Sequence, residues 1–166
     1  QFISDTKWHD CDYLFIDLPP GTSDIPLTLV QTIPVTGVII VTTPQKVALA
    51  DAQKGLAMFK QPQINVPILG IVENMAFFTP EELPNNKYFI FGEEGGAKFA
   101  KKNDVPLLGQ IPIVQSVRES GDLGYPAVMT EGITADAFKE LAAGLARQIA
   151  IRNAKENMTQ VVEVTL

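Results

Sequence analysis

The chain has 166 residues, enough for one domain or a large piece of one. Hydrophobic residues make up 46% and charged residues 19%, the composition of a globular protein with a real core. The net charge of −6, the pI of about 4.7 and the scattered Lys and Arg argue against the basic face that a nucleic-acid partner requires.

Residues 13–18 are almost continuously apolar and predict a parallel strand buried on both faces. This strand ends at Asp17 and turns on Pro19-Pro20-Gly21-Thr22 toward a helix over 25–33, with Pro26 in its first turn. Residues 37–43 are β-branched and predict a second strand. Thr43-Pro44 then starts a helix whose apolar positions are Val47, Leu49, Ala50, Leu56 and Phe59. Residues 66–72 predict a third strand, followed by a longer connection from Glu73 to Gly96. Within that connection, Thr79-Pro80-Glu81-Glu82 resembles a capping box, and 87–91 predicts a short edge strand. A helix over 95–103 and a fourth strand over 105–111 follow, and Ser116 with Glu119 offers a further capping box. The last helix, 134–152, carries the stripe Phe138, Leu141, Ala142, Leu145 and Ile149. The 153–166 tail ends in a β-prone stretch with no assigned partner. Strands alternating with helices predict an α/β fold with a mostly parallel sheet and helices on both faces.

Ligands of open α/β sheets bind beyond the carboxyl ends of the strands. Asp17, Thr42 with Thr43, Asn74 and Pro112 are expected there, on four successive strands. An Asp at such a place can hold a magnesium ion through water. Gly21 has no side chain, so its N–H can approach a phosphate closely. The Asn74 carboxamide sets a donor beside an acceptor and matches the N6/N7 edge of adenine, although an Asn that closes a turn needs no ligand. The loop around Pro112 can cover the other face of a base.

Other features carry less. The stretch from Gly92 to Phe99 lacks the adjacent Gly-Lys-Ser/Thr of a phosphate loop. His9 and Cys11 are too few for a metal site and read as a surface His and a packed Cys. Met58, Met75 and Met129 read as core or loop filler. The single cysteine fits a reducing compartment, so a cytoplasmic location is expected. The apolar runs are too short to span a bilayer, and no membrane partner is expected.

Taken together, the motifs resemble those of the Mrp/ApbC family of P-loop ATPases, relatives of MinD and ParA. They are Asp-Tyr-Leu-Phe-Ile-Asp-Leu-Pro-Pro-Gly-Thr over 12–22, Thr-Thr-Pro-Gln-Lys-Val-Ala-Leu-Ala-Asp-Ala-Gln-Lys-Gly over 42–55, Gly-Ile-Val-Glu-Asn-Met over 70–75, Ile-Phe-Gly over 90–92, and Ile111-Pro112 with Val117-Arg118-Glu119. The resemblance implies a MinD/ParA-like P-loop NTPase domain, here its C-terminal part over 1–152 with a tail over 153–166. It implies that Asp17 belongs to the Walker B element and is the catalytic, magnesium-holding residue. It places Gly21 and Thr22 in the second switch and Asn74 and Pro112 at the adenine. ATP and magnesium are the implied cofactors. A homodimer and apo iron–sulfur proteins are the implied partners.

The function implied is that of an iron–sulfur cluster carrier or assembly factor that binds and hydrolyses ATP. A partition or positioning ATPase of the ParA/MinD kind and a non-catalytic interaction module are the alternatives. The phosphate loop with its lysines is absent from residues 1–166, so the chain alone is expected to be inactive. Many members carry a Cys-x-x-Cys pair after Glu-Asn-Met. The matching stretch here, 77–87, has no cysteine, so no iron–sulfur cysteines are assigned.

Overall fold

The structure, a computed structural model, describes residues 3, 5–19, 24–80, 82–83 and 85–162. Gly21 and Thr22 lie outside the described residues. Three strands form one parallel sheet in the order β1-β2-β3: β1 Val38–Thr42, β2 Ile68–Phe78 and β3 Leu107–Ile113. Helix α1, Asp24–Val30, precedes β1, with Pro26 in its first turn as expected. Helix α2, Lys46–Phe59, joins β1 to β2, and α3, Gly95–Asn103, lies between β2 and β3. The short α4, Gln115–Asp122, and the long α5, Ile133–Lys155, complete the chain.

Two right-handed crossovers that advance in the same direction put their helices on the same face. That face holds the core: Leu56 and Phe59 of α2 and Phe99 and Ala100 of α3 bury Ile40 and Ile71 of the sheet, together with Val30 of α1. Helix α5 packs on β3 and β2 from the other side, where a side chain at Gly109 would meet Leu141. Helices therefore lie on both faces, as the alternation of elements predicts. β1 is an edge strand, and its Val41 is 62% exposed.

The principal difference from expectation is the segment 12–17. It forms no strand, and Tyr13, Leu14, Phe15 and Ile16 are exposed. A strand is held by its ladder and by packing, and β-propensity alone is worth only about 1 kcal/mol. Among the described residues no strand pairs with this segment. Its two aromatic rings, Tyr13 and Phe15, stack on each other instead, with centroids 6.5 Å apart.

Smaller corrections concern the ends of elements. β2 runs six residues past the expected end at Val72, because Glu73 finds hydrogen-bond partners inside the fold. The 87–91 edge strand reduces to one antiparallel bridge between Phe78 and Tyr88. No helix follows Thr79 among the described residues, where Leu83 N–H closes a turn on the Pro80 carbonyl. Helix α4 has no side-chain cap from Ser116; Gln115 bonds Glu119 across one turn instead. Cys11 is exposed rather than packed. The tail gains a backbone bond from Val162 N–H to the Val30 carbonyl, and the buried Arg152 holds the Asn157 carbonyl at 2.7 Å.

Candidate functional site

The carboxyl edge of the sheet is built from three aligned strands. Thr42 on β1, Glu73 on β2 and Gln110 on β3 stand in one row, and Asn74 pairs with Ile111 in the next. Pro112 follows Ile111 and is buried, so it is a strand residue and not the start of a loop. The structure thus brings Thr42, Thr43, Asn74 and Pro112 to one edge. Asp17 is not brought to the end of a strand; it is an exposed residue of the irregular segment. The expected fourth strand of the site is therefore missing among the described residues, for want of a pairing partner.

Asn74 itself has a defined local geometry. Its Oδ1 accepts the Met75 N–H at 2.9 Å, while Met75 adopts a left-handed conformation with φ of 55°. A left-handed residue turns the chain sharply and is unusual for a side chain other than glycine. The strand register breaks just after this point, between Asn74 and Phe78. The side-chain bond to Met75 N–H satisfies the donor that the turn takes out of the ladder. It leaves the Nδ2–H2 group and the second lone pair of Oδ1 available to a base edge.

Glu73 was not singled out in the sequence. Its side chain is fully buried, at 0% exposure. One carboxylate oxygen accepts the backbone N–H of Gly96 at 2.6 Å, and the other accepts Gln110 Nε2 at 2.6 Å. The negative charge sits at the N-terminus of α3, where the helix dipole and the free N–H groups favour it. That place is therefore filled from within the fold. The Gly96 N–H is thus not offered to a phosphate, and the neighbouring glycines lack the Gly-Lys-Ser/Thr signature. The available signal was a Glu inside an apolar strand together with a Gly-Gly pair opening the next helix.

Metal and thiol chemistry is sparse. No group of three or more His, Cys, Asp or Glu side chains that could hold a metal ion occurs among the described residues. Among the described residues around this stretch, Leu83 and Tyr88 are about half exposed and Lys87 Nζ lies 4.3 Å above the Phe77 ring. A cavity of about 520 Å3 opens at the other end of the sheet, between Asn65–Pro67 and the tail, and contains none of the candidate residues. No helix among the described residues is long and apolar enough to cross a membrane.

Residues 1–149 match the ParA family described as NUBPL iron-transfer P-loop NTPase. The chain belongs to this family. Among curated relatives, the iron–sulfur cluster carrier protein of a Synechocystis species is 50% identical over 150 residues, which are 90% of this chain and 41% of that protein. Among solved structures, the nucleotide-binding protein in complex with ADP from Archaeoglobus fulgidus is 40% identical with a TM-score of 0.59, over 68% of this chain and 45% of that one. The septum site-determining protein MinD complexed with Mg-ADP from Pyrococcus horikoshii is 27% identical with a TM-score of 0.51, over 70% of this chain and 44% of that one. The chain thus spans less than half the length of these relatives. Their likeness agrees with the parallel sheet and its helices, and the fold is that of a MinD-like P-loop NTPase.

Proposed function

We propose that this chain forms the C-terminal part, over 1–152, of an ATP-dependent iron–sulfur cluster carrier of the Mrp type, with 153–166 as its tail. The observation that carries the reading is the sheet edge on which Asn74 pairs with Ile111, the residue before Pro112, in a chain whose family is described by iron transfer and whose curated relatives are named iron–sulfur cluster carriers. Asn74 holds the adenine edge, and the buried Pro112 supports the floor beside it. Asp17, with Gly21 and Thr22, serves the metal and γ-phosphate side once the 12–17 segment is paired as a strand. A bound magnesium ion would supply charge neutralisation for phosphoryl transfer.

The residues fit the nucleotide at its base end. The phosphate end needs a cradle of backbone N–H groups and lysines, and neither α3 nor any Gly-Lys-Ser/Thr stretch of the chain provides it. Hydrolysis therefore belongs to the full-length protein, and this chain alone is inactive. The resting partner is a second copy, and the acceptors are apo iron–sulfur proteins in the cytoplasm. The cluster is cargo. This chain contributes nucleotide-dependent switching and not the usual cysteine pair, since its one thiol is Cys11. A partition or positioning role is less well supported, because curated relatives 50% and 45% identical to the chain bear the carrier name.

The test is calorimetric titration of the full-length protein with Mg-ATP, followed by transfer of a preloaded cluster to an apo acceptor with and without ATP. Saturable ATP binding and ATP-dependent transfer support the reading. ATP binding without any transfer would favour the partition alternative, and loss of both would leave the interaction module.

A further inference from the structure

We infer that Glu73 is a positioning residue for base recognition: a buried bracket that fixes the turn on which Asn74 is presented. The inference rests on the nucleotide reading above and adds to it the element that sets its specificity. Four observations meet at this side chain. Glu73 immediately precedes Asn74 on β2 and is fully buried. Its two oxygens tie β2 to α3 through Gly96 N–H and to β3 through Gln110 Nε2. A Cβ at Gly96 would lie 2.8 Å from the Glu73 Cβ and 3.0 Å from its Cγ and Cδ, so glycine is needed for the carboxylate to reach the helix. Directly after Asn74 the chain enters the left-handed Met75 and the β2–β3 register breaks.

A left-handed residue in a strand persists only where its surroundings over-determine it. Ordinary ladder bonds cannot do this here, because the ladder is interrupted just beyond Asn74. The bracket at Glu73 supplies the constraint from the preceding residue. With Glu73 tied to α3 and to β3, Met75 N–H stays on Asn74 Oδ1, and the carboxamide keeps one orientation toward the edge. Without the bracket the carboxamide can rotate. It then presents donor and acceptor in exchanged order and no longer separates adenine from guanine, whose edge at N7 and O6 offers two acceptors.

The experiment uses the full-length protein and compares Kd for ATP and GTP by calorimetry. Amide exchange at Met75 and Ile71 is measured by mass spectrometry without nucleotide. Asn74→Ala should lower the preference for ATP over GTP by roughly tenfold, the scale of a lost bidentate contact. Glu73→Ala should lower it to the same level, and the double variant no further. Glu73→Gln keeps an acceptor for Gly96 N–H and, with Gln110 rotated, a partner on β3, so it should hold the preference within about twofold. In Glu73→Ala, exchange at Met75 should rise far more than at Ile71.

A native ATP preference in Glu73→Ala, or equal weakening for both nucleotides, overturns the inference. If Glu73→Ala does not fold, Gln110→Ala removes only the β3 contact and decides by the same ratio: an unchanged preference overturns the inference. Failure of the nucleotide reading has a different signature, namely that Asn74→Ala leaves the ratio unchanged while Met75 exchange still rises in Glu73→Ala.

Discussion

The fully buried Glu73 carboxylate accepts the backbone N–H of Gly96 at 2.6 Å, across the gap between β2 and the first turn of α3. A buried charge is costly unless hydrogen bonds satisfy it. Here the second oxygen is also engaged, by Gln110, so the group links three elements.

From that contact, Gly96→Ala should destabilise the full-length protein. Alanine gains up to about 1 kcal/mol over glycine in a helix. The new methyl would meet a pinned, buried side chain at 2.8 Å, and overpacking of this kind costs about 1–3 kcal/mol. The cost outweighs the gain. Urea denaturation should show a lower midpoint, whereas Gly55→Ala, with no atom within 4 Å of the new methyl, should raise it.

Asn74→Ala should weaken ATP binding by about 1–3 kcal/mol, the range for a bidentate base contact. It also removes the acceptor for Met75 N–H. Titration with ATP and GTP reads the first effect, and equal affinities for both in the unmutated protein would count against a base-reading role.

Asp17→Asn should suppress hydrolysis more than nucleotide binding. A carboxylate that holds the metal acts most strongly when charge shifts in the transition state. The check is turnover at saturating magnesium beside ATP affinity. Normal turnover would make Asp17 structural.

Reconstitution of the purified 166-residue chain with iron and sulfide should give no stable iron–sulfur absorption band. Clusters usually require four thiolates, and two copies of this chain hold two. Cys11 is exposed, and 77–87 contains no cysteine. A band that survives desalting in a Cys11→Ser variant would reveal other ligands.

How much of this was legible follows from where the determining interactions lie. α3 was readable to the residue, because its Gly-Gly start and the Asn103–Asp104 end are local signals, with Asp104 in the left-handed conformation at its close. β1 and α2 were readable from a β-branched run and helical spacing at Leu56 and Phe59. The extension of β2 through Glu73 and Asn74 was not, since polar residues look like a strand end until Gln110 and Gly96 arrive from 37 and 23 residues away. That Asn74 and Pro112 lie at one end of neighbouring strands was readable from the apolar runs before them, although both prove to lie inside β2 and β3 and not after them. The surroundings of Asp17 were not, because the same apolar signal that marks a buried strand also describes a strand without a partner.

The isolated 166 residues should self-associate or aggregate and bind ATP weakly. β1 presents an unpaired edge beside the exposed Val41, and Tyr13, Leu14, Phe15 and Ile16 are 39–64% exposed in one short run. An open edge recruits further strands, and contiguous apolar surface of several hundred Å2 is uncommon in monomers. Both features are explained at once if the longer relatives' remaining length supplies a strand between β1 and the 12–17 segment. Such a strand would pair β1, restore the ladder for 12–17 and bring Asp17 to the same carboxyl edge as Asn74. Light scattering coupled to size exclusion should find self-associated or larger species for the isolated chain, and these should give way to a defined complex of the two portions once the amino-terminal portion of the full-length protein is added in trans. A monomeric isolated chain that binds ATP tightly would overturn the half-domain reading, because it would show that neither the edge nor the phosphate cradle is wanting.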